Sequence, residues 1–259
     1  MVNNKEAVVK ALLASGAKPD ARITIGPLGL FCARTPLYAA ASSGRGAMVT
    51  ALLASSGENL RAPDAGLTIG PLGLFSAATP LHVAAVKGYA AVVEALLASG
   101  ANPDAGVTFG PLGVLVTSTP LHAAAKAATS SGNEAVMRAL LANGAKRDAR
   151  ATFGPLGVLV TSTPLHAAAT SGNEAAVEAL LGFYGAKPDA GAAVGPLGLL
   201  FTDTPLRAAA REGHDSVAKA LLAYGAKASG FIWGPTPLKI AEKNGHTAVV
   251  KVLREARRR

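Results

Sequence analysis

The chain has 259 residues, half of them hydrophobic, with 29 glycines and 16 prolines; it is too apolar to be disordered, and its composition suits many short helices separated by tight turns. Its net charge of +9 suggests a polyanion binder until it is located. From Lys227 onward there are eight Lys or Arg and two acids, which leaves only +3 for the rest of the chain.

No apolar run approaches the roughly 18–20 residues of a membrane span. The opening Met1-Val2-Asn3-Asn4-Lys5-Glu6 lacks the blocks of a secretory leader, and the single Cys32 has no partner for a disulfide within the chain. A soluble, cytoplasmic protein without membrane insertion is the expectation.

The first predicted element is an apolar helix over residues 5 to 15, with Asn3 or Asn4 available as its cap; about 1–20 forms a terminal half unit. Thr35-Pro36-Leu37-Tyr38 then opens a small-residue helix, and the same opening recurs at Thr79, Thr119, Thr163, Thr204 and Thr236, spaced 44, 40, 44, 41 and 32 residues apart. Threonine suits a helix N-cap, and proline suits the first helical position, where an amide proton has no intrahelical acceptor. In the second unit Ala84 and Ala85 allow close approach, Gly88 breaks the helix, and Val92, Val93, Leu96 and Leu97 form the stripe of a second helix that Gly100 ends. Recurrence at this period marks one domain of stacked units over 1–259, whose function sits on an extended surface.

The pattern Thr79-Pro80-Leu81-His82-Val83-Ala84-Ala85, then Gly88, Val92-Val93-Glu94-Ala95-Leu96-Leu97 and Gly100-Ala101-Asn102-Pro103-Asp104, resembles the ankyrin repeat. Six matches cover essentially the whole chain. The resemblance implies a mainly α repeat solenoid and a non-enzymatic module that binds proteins through hairpin loops and the concave face of its first helices. The last unit, from Thr236 (about 236–259), carries Glu242, Lys243 and Asn244 where inner units place small residues. It reads as a polar cap, which accounts for the C-terminal charge; an anionic partner there is the alternative.

The chain departs from the 33-residue ankyrin period in a systematic way. Gly26-Pro27-Leu28-Gly29 recurs at Gly70, Gly110, Gly154 and Gly195, each first glycine nine residues before its threonine. Five hairpins are lengthened alike, each arm by roughly 10–13 Å, with β-branched and aromatic flanks around a turn. Neighbouring fingers should stack into a sheet, with Thr24, Thr68, Thr108, Thr152 and Ala193 in one row and Ile25, Ile69, Phe109, Phe153 and Val194 in another. Apolar residues Leu28, Phe31, Leu72, Phe75, Leu112, Leu115, Leu156, Leu159, Leu197 and Leu200 either glue the fingers together or form a surface for a partner or a second copy.

Residues 108–125 repeat unchanged at 152–169, which points to duplication or deliberate copying, so a designed protein stays open. Extra residues fall around Glu58 to Ala62 and at Lys126-Ala127-Ala128-Thr129, about one helical turn, before Gly132.

No catalytic or metal site is expected. His82, His122 and His166 follow Thr-Pro-Leu one per unit, His214 and His246 follow the glycine between helices, and the regular spacing keeps them from converging on an ion. Asp20, Asp64, Asp104, Asp148 and Asp189 recur once per unit, placed to accept backbone hydrogen bonds. Gly-Pro-Leu-Gly lacks the Gly-Lys-Ser/Thr of a phosphate loop, and Cys32 reads as a small apolar filler. No cofactor is called for, and nucleic acid is not the expected partner. The binding candidates are the finger residues above together with Ser42, Ser43, Val86, Lys87, Lys126, Thr170, Ser171, Arg211 and Glu212 on the first helices. The partner would be a protein of unknown identity; self-association through the apolar fingers is the rival reading, and an enzyme would need a convergent polar cluster.

Overall fold

Every Thr-Pro-Leu site starts a helix. In a computed structural model describing residues 3–19, 21, 23–25, 32–55, 64, 66–69, 76–109, 116–127, 131–153, 159–195, 201–229 and 234–258, Thr35, Thr79, Thr119, Thr163, Thr204 and Thr236 lie in extended backbone. Their hydroxyl oxygens accept the amides of Tyr38, His82, His122, His166, Arg207 and Lys239 at 3.1–3.4 Å. Each such cap stabilises its helix by about 1 kcal/mol.

The first helices of the units are α2 (Pro36–Ser42), α4 (Pro80–Val86), α6 (Pro120–Lys126), α8 (Pro164–Ser171), α10 (Pro205–Glu212) and α12 (Pro237–Lys243). The second helices are α1 (Asn3–Ala14), α3 (Gly46–Ser55), α5 (Ala90–Ala98), α7 (Ser131–Ala142), α9 (Glu174–Glu178), α11 (Asp215–Ala223) and α13 (Thr247–Ala256). Each set packs on its own kind from unit to unit, giving two helical layers. Between them runs one continuous core: Leu81, Leu121, Leu165 and Leu206 from the first layer meet Leu96, Leu140, Leu180 and Leu221 from the second, all buried. Paired alanines such as Ala84-Ala85 and Ala124-Ala125 are fully covered, so their small size sets how closely neighbouring first helices approach.

The fingers form one antiparallel sheet of ten short strands in chain order: β1 (Ile23–Ile25), β2 (Cys32–Arg34), β3 (Leu67–Ile69), β4 (Ser76–Ala78), β5 (Val107–Phe109), β6 (Val116–Ser118), β7 (Ala151–Phe153), β8 (Leu159–Ser162), β9 (Ala192–Gly195) and β10 (Phe201–Asp203). The register places Thr24, Thr68, Thr108, Thr152 and Ala193 in one row through Ala33, Ala77, Thr117 and Thr161, as the spacing predicts. Within it the hydroxyls of Thr117 and Thr152 lie 2.7 Å apart across two fingers. Cys32, Ser76, Val116 and Val160 share the neighbouring row. Val107, Ala151 and Ala192 are buried at the finger bases and anchor the sheet to the helices.

The recurrent acids tie unit to unit. Asp64, Asp104 and Asp189 accept the amides of Asn102, Lys146 and Lys227 at 3.3, 3.0 and 3.0 Å, whereas Asp148 faces Arg147 at 3.7 Å. One local expectation is corrected: α1 includes Asn3 and Asn4, so neither caps it from outside. Helix α7 opens at Ser131, with Gly132 in its first turn. Val8 and Leu12 of α1 are 51% and 55% exposed among the described residues, while their counterparts Val92 and Leu96, under α4, are buried.

Candidate interaction surface

The first-helix candidates fall at one or two adjacent positions in each of five units, at the end remote from the cap. Val86, Lys87, Lys126, Thr170, Ser171, Arg211 and Glu212 are exposed, Ser43 likewise, and Ser42 is half-buried. Several are already engaged within the fold. The hydroxyls of Ser42, Ser43, Thr170 and Ser171 donate to carbonyls of their own helices at 2.8–3.0 Å, Lys87 Nζ donates to the Ser42 carbonyl at 2.7 Å, and Arg211 pairs with Asp203 at 2.8 Å. The hydroxyls are therefore turned back to the backbone, and Val86, Lys126 and Glu212 are the side chains presented outward.

Of the finger candidates, Leu28, Phe31, Leu72, Phe75, Leu112, Leu115, Leu156, Leu197 and Leu200 lie outside the described residues. Leu159 opens β8, where its backbone pairs with Gly195.

The histidines after Thr-Pro-Leu act mainly between units. His122 Nε2 lies 2.9 Å from the Ser162 carbonyl and 3.3 Å from the Ala151 amide, and Nδ1 lies 2.7 Å from the Thr119 hydroxyl. Burial pushes His122 below its ordinary value, against the Ser162 carbonyl and Asp104. His82 is pushed further, to about 4, by burial and by the neighbouring His122, and its Nε2 has no hydrogen-bond partner.

A convergent polar cluster does exist, contrary to the sequence expectation. Asp203, 7% exposed, receives His166 Nε2 at 3.3 Å and Arg211 at 2.8 Å, and the buried Arg207 lies at 3.6 Å. Burial alone would raise the Asp203 carboxyl, but the bonds from His166 and Arg211 outweigh it and hold the group below its usual value. The signal was present in sequence: Asp203 stands in the row of Ala78, Ser118 and Ser162, and Arg207 stands where other units place His. Chemically the cluster is a latch. A carboxylate stabilised by two guanidinium groups is a poor base, and no group of three potential metal ligands occurs among the described residues.

A recess of about 580 Å³ opens at the C-terminal end, lined by residues including Ala241, Val250, Lys251 and Arg254. It lies beside the Glu242–Arg254 ion pair at 2.8 Å.

Units of two helices with a finger between neighbours are the plan of a known family. A family model for ankyrin repeats matches residues 1–107, 112–192 and 191–258. The chain belongs to the ankyrin-repeat family. Among solved structures it is similar to the human ASB11 ankyrin repeat domain, with 28% identity over 98% of this chain and 94% of that chain and a TM-score of 0.66. No curated protein matches it. Ankyrin repeats are in general protein–protein interaction modules, and among the described residues no helix is long and apolar enough to cross a membrane.

Proposed function

We propose that the chain is a non-enzymatic scaffold that holds protein partners on its finger tips and on the ends of its first helices, where Val86, Lys126 and Glu212 are the side chains presented outward. One observation carries this reading. The buried alanine pairs are the same in successive first helices, while the exposed position one or two residues beyond them changes from valine to lysine to threonine to arginine. Side chains that the packing leaves free to vary are where a repeat array can encode a partner.

Affinity capture with three baits tests the proposal: the intact chain, a chain whose five fingers are cut to short turns, and Val86→Ser with Lys126→Ser and Glu212→Ser. Proteins retained by the intact chain should be lost from both altered baits; an unchanged set would overturn the reading. Mass that rises with concentration and falls back when the fingers are cut would favour self-association instead.

A further inference from the structure

The finger sheet grows by one rule. At each boundary between fingers the second strand of one meets the first strand of the next, antiparallel and with central residues opposed: Ala33 with Thr68, Ala77 with Thr108, Thr117 with Thr152 and Thr161 with Ala193. The backbone amides of Thr152 and Ala193 point to the preceding finger, where the hydroxyls of Thr117 and Thr161 accept them at 3.0 and 3.2 Å. Thr24 opposes Ala33 as Thr152 opposes Thr161. Because alternate residues of an antiparallel strand turn their amides to opposite edges, the Thr24 amide faces away from β2. Among the described residues no strand lies on that side of β1.

A second donor stands at the same end. In three units the amide that follows the closing Gly-Ala docks on an acid of the unit before: Asn102 on Asp64, Lys146 on Asp104 and Lys227 on Asp189, at 3.0–3.3 Å. Lys18 holds this place after Gly16-Ala17, and its amide has no acceptor among the described residues.

The far edge of the sheet is closed instead. Thr202 opposes Ala193, the place of Ala33 and Thr117 in their fingers, so its carbonyl points outward. That carbonyl accepts Nη1 of the buried Arg207 at 3.0 Å, and the chain at Gly234 runs so near that a Cβ there would come within 2.9 Å of Arg207 Nη2. A second copy therefore does not offer β10 to β1. Pairing two β1 strands about Thr24 would bring Lys18 no acid either, because the seven residues after Ile25 are Gly-Pro-Leu-Gly-Leu-Phe-Cys.

We infer that the β1 edge is a docking site for an extended segment of a partner protein, which pairs antiparallel with Ile23–Ile25 and sets a carboxylate on the Lys18 amide. The fold states what fits there. Small and β-branched residues fill this place in β4 (Ser-Ala-Ala), β6 (Val-Thr-Ser) and β8 (Leu-Val-Thr-Ser), and these strands run from finger tip to base, so the carboxylate belongs after the C-terminal end of the segment. In strand addition the main-chain bonds give affinity and alternate side chains give selectivity, and an open edge is where it occurs. The site lies at one end of the array, so it stands independently of Val86, Lys126 and Glu212.

The test is fluorescence anisotropy of a labelled peptide, Val-Leu-Val-Thr-Ser followed by two aspartates, on the intact chain. Thr24→Pro removes the outward amide, and proline is tolerated on an edge whose N–H faces out; binding should weaken about tenfold or more with Tm unshifted. Thr24→Val keeps the amide and should bind like the wild type. If the proline variant shifts Tm, the unaltered chain decides: a peptide N-methylated at its threonine should weaken likewise. A peptide with alanines for the aspartates should weaken severalfold, and Val86→Ser plus Lys126→Ser should change nothing. No binding by the intact chain, full binding of the N-methylated or the alanine peptide, full binding by a folded Thr24→Pro chain, or loss with Val86→Ser plus Lys126→Ser would overturn the inference. A mass that doubles with concentration in the wild type but not in Thr24→Pro would overturn it in favour of a second copy.

Discussion

His246 closes over Gly213: a Cβ on that glycine would come within 2.7 Å of the ring Nδ1, and Nε2 of the same ring meets the Arg211 carbonyl at 2.9 Å. The same relation links His214 to Gly172 and Tyr89 to Gly44. At these three junctions an aromatic ring from the later unit thus seats on the glycine that ends the first helix of the unit before it, whereas units three and four have Asn133 and Asn173 at the ring's position.

This seat makes Gly213→Ala costly twice over. At φ +83° the backbone is left-handed, and the added methyl group must displace the ring, for a total of about 2–3 kcal/mol. Gly225→Ala, at φ +84° with nothing within 4 Å, should cost only about 1–2 kcal/mol. Urea unfolding of the two variants checks this, and equal losses would show that the ring contact contributes nothing.

Asp203→Asn should destabilise the chain by about 3–5 kcal/mol at pH 7, because it leaves Arg207 buried without a counter-charge. The wild-type carboxyl is held below its usual value. Its contribution is therefore complete above the unfolded value near pH ~3.9 and is lost as pH falls through the lower folded value. Denaturation at pH 7 and at about pH 3 should show the gap between variant and wild type narrowing in acid; a constant gap would remove the charge from the explanation.

His82 behaves oppositely in chemistry but loses stability in the same direction. With a folded value near 4 and an unfolded value near ~6.5, the unfolded chain binds a proton that the folded chain refuses. Stability is complete above about pH 6.5 and declines by up to about 3 kcal/mol toward pH 4. His82→Gln should flatten much of this slope, with a remainder from His122, which burial shifts the same way. Unfolding free energies at half-unit pH steps measure it, and an unaltered slope would show that His82 is not the group responsible.

Hydrogen exchange should grade the fingers. Strand β5 is paired on both sides, by β4 and β6, whereas among the described residues β1 pairs only with β2. Amides of Val107 to Phe109 should therefore exchange more slowly than those of Ile23 to Ile25, since an edge strand opens without breaking a second ladder. Equal, fast exchange would mean that the fingers move independently.

Much of this architecture was legible in one sequence because its causes are local or repeat. A threonine cap needs only its own hydroxyl and an amide three residues on, and Thr79 with His82 could be read without knowing any neighbour. Equal inserts at equal places put equivalent strands side by side, so the row from Thr24 to Ala193 followed from spacing alone. The candidate surface was half legible. Spacing located Val86, Lys87, Arg211 and Glu212 on exposed helix ends, but it did not show that Lys87 is tied to Ser42 and Arg211 to Asp203.

What only the tertiary structure decided depends on residues some 30 to 45 positions apart meeting in space. Asp203 draws in His166 of the previous unit as well as Arg207 and Arg211 of its own. The extra residue of unit four, where Leu181-Gly182-Phe183-Tyr184-Gly185 stands against Leu97-Ala98-Ser99-Gly100, has no local signature either. Whether an insertion becomes a loop or a π turn is settled by the packing on both sides of it. Here α9 continues as a π turn over Ala179–Phe183, and buried Leu180 and Ala186 hold the helix in place so that the surplus ring of Phe183 faces water.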